Sequence, residues 1–202
     1  MGRGERLTPG GFTFRAGEFK VLLAFEALLT LAWELTPEVV LINYIVFALK
    51  KTVFEVALVA VVSSLASIIG TYASEHFPKG RGFQGMSLGM LTSALYAALM
   101  MISPPFWLVI IAYSLDAFGG TFWFPFYRSW MFKLIPKERA SEFHAAISSY
   151  KKVIGIVTPF IAGALVSVHA TLPYAFSLAF FLLAGVMFWW LARKGIYSRT
   201  PS

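Results

Sequence analysis

The sequence contains six apolar stretches, each about as long as the hydrocarbon core of a bilayer is thick. A spanning helix needs about 20 mostly apolar residues, and only short polar links separate the six stretches. They run over Val21–Leu49, Val53–Ala73, Phe83–Ile102, Phe106–Phe132, Phe143–Val168 and Leu172–Leu191. This pattern predicts an all-α integral membrane protein with six transmembrane helices in one domain, residues 21–191. Residues 1–20 and 192–202 are predicted to be cytoplasmic tails.

Composition supports the lipid bilayer as the solvent of this chain. Of its 202 residues, 58% are hydrophobic and 13% are charged, whereas soluble domains are about 45–50% apolar and about 25% charged. A net charge of +7 would favour nucleic-acid binding in a soluble protein. Here the basic residues lie mostly between the apolar stretches, where they set topology, so we expect a cell-membrane protein without a nucleic-acid partner. Scarcity of Asn, Gln and Cys is typical of thermophile proteins.

Successive links between the six stretches lie on opposite sides of the membrane, and lysine and arginine are distributed unequally between these two sides. One side carries twelve of them: Arg3, Arg6, Arg15, Lys20, Lys79, Arg81, Lys133, Lys137, Arg139, Arg193, Lys194 and Arg199. The other side carries two, Lys50 and Lys51. Because cytoplasmic loops of membrane proteins carry the excess of Lys and Arg, both termini are predicted to be cytoplasmic.

The first stretch carries acidic residues inside an apolar helix, where a charge costs about 2.5–3.5 kcal/mol at the bilayer centre. Glu26, Thr30, Glu34 and Glu38 recur at every fourth position and therefore share one helix face. Pro37 removes a backbone donor and is predicted to interrupt the helix. Glu34 is near mid-helix and is a candidate binding residue. For Glu26 and Glu38, the alternative is that they reach toward the two interfaces.

A second polar face lies in the fourth stretch and consists of Tyr113, Asp116, Gly120, Trp123 and Tyr127. Asp116 is near mid-helix and is predicted to face Glu34. Two carboxylates that lie close together cannot both ionise at low cost, so this pair predicts a proton-binding or cation-binding site. Tyr113 and Trp123 are predicted to shape the pocket. The alternative is that Asp116 is a protonated packing residue.

Cationic residues occur within helices in the inner third of the bundle. They are Arg128 in the fourth stretch and Lys151 and Lys152 in the fifth, and Glu26 lies at a similar depth. Because unpaired charges in lipid are expensive, we expect Glu26, Arg128 and Lys151 to form an inner ionic cluster. A gate, an anion-binding site and a purely structural role remain open for it. Lys152 is expected to snorkel to the interface.

Small residues at helical spacing predict close helix contacts. They occur in the third stretch, at Gly82, Gly85, Gly89, Ser93 and Ala97, and in the fifth, at Gly155, Pro159 and Gly163. Two strings, Gly80-Arg-Gly82-Phe-Gln-Gly85 and Gly85-Met-Ser87-Leu-Gly89, match GxGxxG and GxSxG, but no strand precedes them as those motifs require. The three histidines lack metal-ligand spacing. We therefore expect no enzyme activity, no cofactor and no metal site.

Three short motifs, in order along the chain, resemble one half of a major facilitator superfamily transporter. The loop after the second stretch is similar to that family's Gly-x-x-x-Asp-Arg-x-Gly-Arg-Arg loop, and its corresponding residues are Gly70, Glu75, Lys79, Gly80 and Arg81. The link from Pro136 to Ala140 resembles the family's Pro-x-x-Arg-Gly linker. The pattern Gly155-x-x-x-Pro159-x-x-x-Gly163 resembles the glycine–proline pattern of its fifth helix.

The resemblance implies a three-plus-three inverted repeat whose first and fourth helices line a central cavity. It also implies alternating access, in which two six-helix halves rock around a site at mid-membrane. The chain is then a half-size, transporter-like protein that forms one wall of a pathway for an unidentified small solute, with proton coupling left open. A second copy or a separately encoded half completes it. The alternative is a non-transporting membrane protein: an assembly partner, a scaffold or a split-gene remnant.

The charge asymmetry gives a test of topology. Single cysteines introduced at Gly4 and at Ser198 should resist an impermeant thiol reagent in intact cells, because both termini are predicted to be cytoplasmic. A cysteine at Thr171 should react, since it lies in an outer link. Because the printed sequence has no cysteine, the labelling background is low. Labelling at either terminus in sealed cells contradicts the orientation.

Overall fold

Every regular element in the described part of the chain is helical. The structure, a computed structural model, describes residues 16–135 and 140–194. The helices are α1 (Ala16–Glu34), α2 (Glu38–Asn43), which continues as a π-helix (Tyr44–Ala48), α3 (Val53–Glu75), α4 (Gly82–Met101), α5 (Phe106–Leu134), α6 (Ala140–Val168) and α7 (Leu172–Arg193). The predicted link at 136–139 and most of both predicted tails lie outside the described residues.

Five helical segments are long and apolar enough to cross a membrane. They are Lys20–Ala48, Val53–Glu75, Phe106–Leu134, Ala140–Val168 and Leu172–Arg193. These are the features of a helical membrane protein. The bounds of the five segments agree with those of the predicted stretches to within a few residues. The third predicted span, α4, is 20 residues long but is less apolar than the other five.

Pro37 divides the first segment into two helices, which confirms the predicted interruption. α1 ends at Glu34 and α2 begins at Glu38. Pro37 has an extended backbone, with φ −64° and ψ 158°, and precedes the first turn of α2. Proline disfavours a helical backbone at the residue before it and cannot donate to the preceding turn. Glu34 is consequently the last residue of α1, at the middle of the Lys20–Ala48 segment.

α4 is less apolar because it contacts other helices. Twelve of its residues are buried, whereas α3 buries three, and α4 packs on α5 and on α7. The contact with α5 is very close: a Cβ at Gly89 would lie 2.6 Å from the Cβ of Trp123 and 2.9 Å from the carbonyl oxygen of Gly119. The small residues predicted to mark a helix contact in the third stretch therefore do so.

Most helix pairs have a counterpart when the first three segments are exchanged with the last three, but the contacts of α6 with α7 and of α3 with the π-helix have none of comparable extent. α3 packs on α5, as α6 packs on α1; α4 packs on α5, as α7 packs on α1; and α4 and α7 pack on each other. Hydroxyl groups join several pairs. Thr121 donates to the carbonyl of Ser67 at 2.9 Å between α5 and α3, and Ser177 donates to that of Ala32 at 2.7 Å between α7 and α1.

α6 is packed much more loosely than α4, which corrects the prediction of close contact along its glycines. Its buried described residues are Ile147, Thr158 and Ala162. A Cβ at Gly163 would meet nothing within 4 Å, and one at Gly155 would meet the Glu34 carboxylate at 3.6 Å. Glycine spacing permits close approach but does not compel it. In the described part of the chain, no helix backbone packs closely against Gly155 or Gly163 of α6.

These two glycine environments predict opposite responses to the same substitution. Gly89→Ala should lower stability by about 1–3 kcal/mol, because the new methyl group overpacks the contact with Trp123 and the Gly119 backbone. Gly163→Ala should leave stability unchanged or raise it slightly, since alanine favours the helix. Thermal unfolding of both variants in the same detergent checks this. Equal melting temperatures for the two variants would contradict the described packing of α4 against α5.

Candidate functional site

A cavity of about 940 Å³ lies between α1, α5 and α6. It forms because α6 packs on α1 while making few contacts with α5. It extends from His144 and Met131, near the end of the bundle that carries the α5–α6 link, to Glu34 and Ile156 at mid-segment. We call it the inner cavity. Its lining includes Glu26, Glu34, Arg128, Lys151 and Lys152. Five of the eight charged residues in the predicted apolar stretches therefore line one cavity.

Glu26 is the buried anchor of this cavity. Only 2% of its side chain is exposed, and one carboxylate oxygen lies 3.1 Å from the Nζ of Lys151, which is 45% exposed. The other oxygen accepts a hydrogen bond from the hydroxyl of Tyr127. Glu26 on α1 is thus bonded to α6 and to α5 at once. The predicted pairing of Glu26 with Lys151 is confirmed, and the charge of Glu26 is compensated rather than exposed to lipid.

Arg128 lines the same cavity but contacts aromatic rings instead of Glu26. Its guanidinium carbon lies 5.6 Å from the ring centre of Phe124 and 5.7 Å from that of Phe132. These rings precede and follow it by one helical turn on α5, so they hold the guanidinium between them by cation–π contact. No carboxylate of the described chain lies within ion-pair distance of Arg128 or of Lys152.

Glu34 closes the cavity at mid-segment. It is half-buried, and its carboxylate faces the backbone of α6 at Gly155. A Cβ at Gly155 would lie 3.6 Å from this carboxylate, which is an ordinary van der Waals contact. Within residues 16–135 and 140–194, no basic side chain lies within ion-pair distance of Glu34. A carboxylate without a partner therefore stands at the deep end of the cavity.

Asp116 does not share this cavity, although it was predicted to face Glu34. The indole N–H of Trp33 donates to Asp116 at 3.4 Å. Residues 33 and 34 are neighbours on α1 and point about 100° apart. Trp33 therefore faces α5 while Glu34 faces α6, and the two carboxylates lie in different environments at similar depth.

The other two predicted pocket residues belong to the interior of the bundle. Tyr113 accepts a hydrogen bond from Tyr96 at 3.3 Å. Trp123 is 2% exposed and stacks on Trp33 with ring centres 5.9 Å apart. Phe181 of α7 meets the other side of this pair, at 5.9 Å from Trp33. These three side chains thus form an aromatic layer inside the bundle, between α1, α5 and α7.

The residues matched to the loop motif lie apart from the cavity. Gly70 is buried against α5, where a Cβ would lie 2.5 Å from the carbonyl oxygen of Phe118. Glu75, Lys79 and Arg81 are exposed around the α3–α4 link. Gly80 has φ +86°, a left-handed backbone that glycine adopts at no steric cost. The exposed residues of this motif therefore lie at a surface turn between α3 and α4.

Sequence reasoning missed several residues that line the cavity. On α6 these are His144 and Ser148, which precede Lys152 by eight and four positions and so share its face. Lys152, expected only to snorkel, also lines the cavity. Thr30 on α1 was predicted to share the face of Glu26 and Glu34; its hydroxyl is buried and has no hydrogen-bond partner within the described residues. The four-residue spacing along α6 was the signal that could have identified them.

Two features of the described residues bear on enzyme chemistry. Ser87, the serine of the GxSxG string, is buried and donates to the carbonyl of Gly185 at 2.8 Å, so it joins α4 to α7. Across residues 16–135 and 140–194, no cluster of three or more His, Asp or Glu side chains is arranged to hold a metal ion.

Comparisons with protein-family models, with curated proteins and with solved structures find no match for this chain.

The Glu26 contacts predict a difference between two adjacent lysines. Lys151→Gln should lower stability by about 1–3 kcal/mol, because it leaves the buried Glu26 carboxylate without its cation. Lys152→Gln, the matched control, should have little effect. Adding Glu26→Gln to Lys151→Gln should recover most of the loss, since the uncompensated charge is gone. Chemical unfolding of the parent, of Lys151→Gln, of Glu26→Gln and of their double variant measures this coupling. Additive effects of the two substitutions would show that the ion pair contributes nothing.

Proposed function

We propose that this chain is a half-size membrane transporter that forms one wall of an alternating-access pathway for a small solute. The observation that carries the proposal is the inner cavity, an open groove whose lining runs from His144 and Met131, near the α5–α6 link, to Glu34 at mid-segment. A charged cavity that stops halfway through an apolar bundle suits a solute that enters from one side and waits for the other side to open.

The helix packing supports an inverted repeat. Most of the helix pairs have a counterpart when the first three segments are exchanged with the last three, with the contacts of α6 with α7 and of α3 with the π-helix as exceptions. Consecutive spans run in opposite directions, so a repeat of three spans returns inverted, as in transporters that work by alternating access. In this proposal six spans cross the membrane with both termini cytoplasmic, and the inner cavity is open to the cytoplasm.

The ion pair of Glu26 with Lys151 is the element that changes between the two states of the transporter. α6 has few buried side chains, and its Lys151 is bonded to Glu26 of α1. Separation of this pair would release α6 from α1 at the inner end, whereas its formation holds them together. The remaining helices, joined through buried glycines and serines, move as one body.

A partner is required by the charges that line the cavity. Arg128, Lys151 and Lys152 are exposed on spanning helices, and cationic groups facing hydrocarbon are costly. A second six-span unit over the α5–α6 side would convert the open cavity into an enclosed one. We propose a two-fold homodimer with a shared cavity; a separately encoded half would fit the same surface.

Cross-linking tests the shared cavity. Ser148→Cys and Ile156→Cys lie on the cavity side of α6 and should form disulfides between copies in oxidised membranes. Leu183→Cys, on the exposed face of α7, is the matched control and should remain monomeric. Cross-linking of Leu183→Cys alone would contradict the shared cavity. An absence of cross-links at all three positions would exclude the homodimer and favour a separate partner.

Transport in proteoliposomes tests the function itself. If protons drive uptake, Glu34→Gln should abolish accumulation driven by a pH gradient, because it removes the carboxyl group that lines the inner cavity and can carry the proton. Glu38→Gln, an exposed acid on α2, is the control and should behave as the parent. Failure of the parent protein to take up any member of a chemically broad solute set would support the non-transporting alternative.

A further inference from the structure

The charges of the inner cavity do not balance within the described chain. Glu26 and Lys151 compensate each other at 3.1 Å. Arg128 and Lys152 remain as two cations without a carboxylate partner among the described residues, and Glu34 remains as one anion without a cation partner there. Unpaired charges in a space of low dielectric are costly, so a ligand that supplies the missing charges would bind favourably.

The unpaired charges are separated along the cavity. Arg128 follows Tyr127, which is bonded to Glu26, so the cationic side lies at the level of Glu26. Glu34 lies eight residues further along α1, which is about 12 Å of helix. A ligand that spans this length meets cations at one end and a carboxylate at the other.

The wall between these ends has an unused hydrogen-bonding group. Thr30 lies one turn from Glu26 and one turn from Glu34, and its side chain is 6% exposed. Thr30 is a lining residue of the cavity, and its buried hydroxyl oxygen has no hydrogen-bond partner among the described residues. Buried hydroxyl groups are normally satisfied, so an unsatisfied one in this wall is a candidate hydrogen-bonding group for a bound molecule.

Arg128 is suited to bind an anionic group. Phe124 and Phe132 hold its guanidinium on both sides, and a guanidinium offers paired donors that match a carboxylate or phosphate. Ser148 and His144 lie on the same face of α6 as Lys152 and add hydrogen-bonding groups beside it.

We propose that the inner cavity binds a small zwitterionic solute, with its carboxylate or phosphate at Arg128 and Lys152 and its amine at Glu34. This inference rests on the proposed function, because it names the substrate class of the same cavity. Glu34 must be ionised to bind the amine. A proton and the amine therefore compete for one carboxylate, which provides a direct route to coupling.

Three matched series of probes test the charge assignment. They are ω-amino acids of four to eight carbons, α,ω-dicarboxylates of the same lengths and α,ω-diamines of the same lengths. Binding to the purified full chain in phosphatidylcholine nanodiscs is measured by calorimetry at constant ionic strength. At least one ω-amino acid should bind about tenfold more tightly than the dicarboxylate and the diamine of equal length, because it alone satisfies both ends. A preference for either symmetric series, or no binding of any probe, overturns the proposal.

Substitutions at the two ends should change selectivity in different ways. Arg128→Gln and Lys152→Gln should each weaken the ω-amino acid and the dicarboxylate about tenfold. Glu34→Lys should reverse the preference to the dicarboxylate, because a cation replaces the carboxylate at the deep end. Lys20→Gln, an exposed basic residue of α1 outside the cavity, is the control and should bind as the parent. Unchanged selectivity in Glu34→Lys contradicts the assignment of the amine.

The same measurements separate this inference from the proposed function and from lipid binding. Binding of an ω-amino acid without its uptake into proteoliposomes would refute transport and leave the site intact. Uptake of diamines alone would support transport and refute the substrate class. A headgroup site would show no probe binding in phosphatidylcholine and a thermal stabilisation by phosphatidylglycerol that Arg128→Gln removes, and that result overturns the proposal.

Discussion

Glu26 and Lys151 bring opposite charges together within helices whose other surfaces are mostly apolar. Glu26 is 2% exposed and is bonded to both α5 and α6, so the position of α6 depends on a charge interaction rather than on close apolar packing. Removing either charge from a buried pair costs more than the pair itself contributes. The geometry of the inner cavity therefore depends on this contact, because α6 is the wall that the contact holds in place.

The contrast between α4 and α6 explains why one part of the bundle is rigid and another part is open. Gly89 and Gly119 bring α4 against the backbone of α5, and there is no room for a methyl group. Gly155 and Gly163 on α6 have the same type of spacing and leave empty space or face a carboxylate. Dense packing resists displacement, whereas a helix with three buried described residues can shift at low cost.

Much of the fold could be predicted from local sequence features, and the site only in part. The lengths of the apolar stretches predicted the helices, and Pro37 predicted the break after Glu34, because both depend on nearby residues alone. The pairing of Glu26 with Lys151 was predictable from depth and opposite charge. The separation of Glu34 from Asp116 was not, since it depends on which neighbour each face of α1 meets. The same limit applies to α6, whose glycines cannot reveal whether another helix approaches them.

The break at Pro37 has a consequence for how Glu34 can act. A carboxylate in the middle of an intact apolar helix would have to remain neutral or paired to avoid the cost of a buried charge. At the end of α1, beside Gly155 and open to the inner cavity, Glu34 has access to water or to a ligand from one side. Asp116, hydrogen-bonded to Trp33 within the bundle, has no such access to the inner cavity. A charge that changes partners during a transport cycle needs the first environment, so Glu34 rather than Asp116 is the carboxylate on which solute and proton would compete.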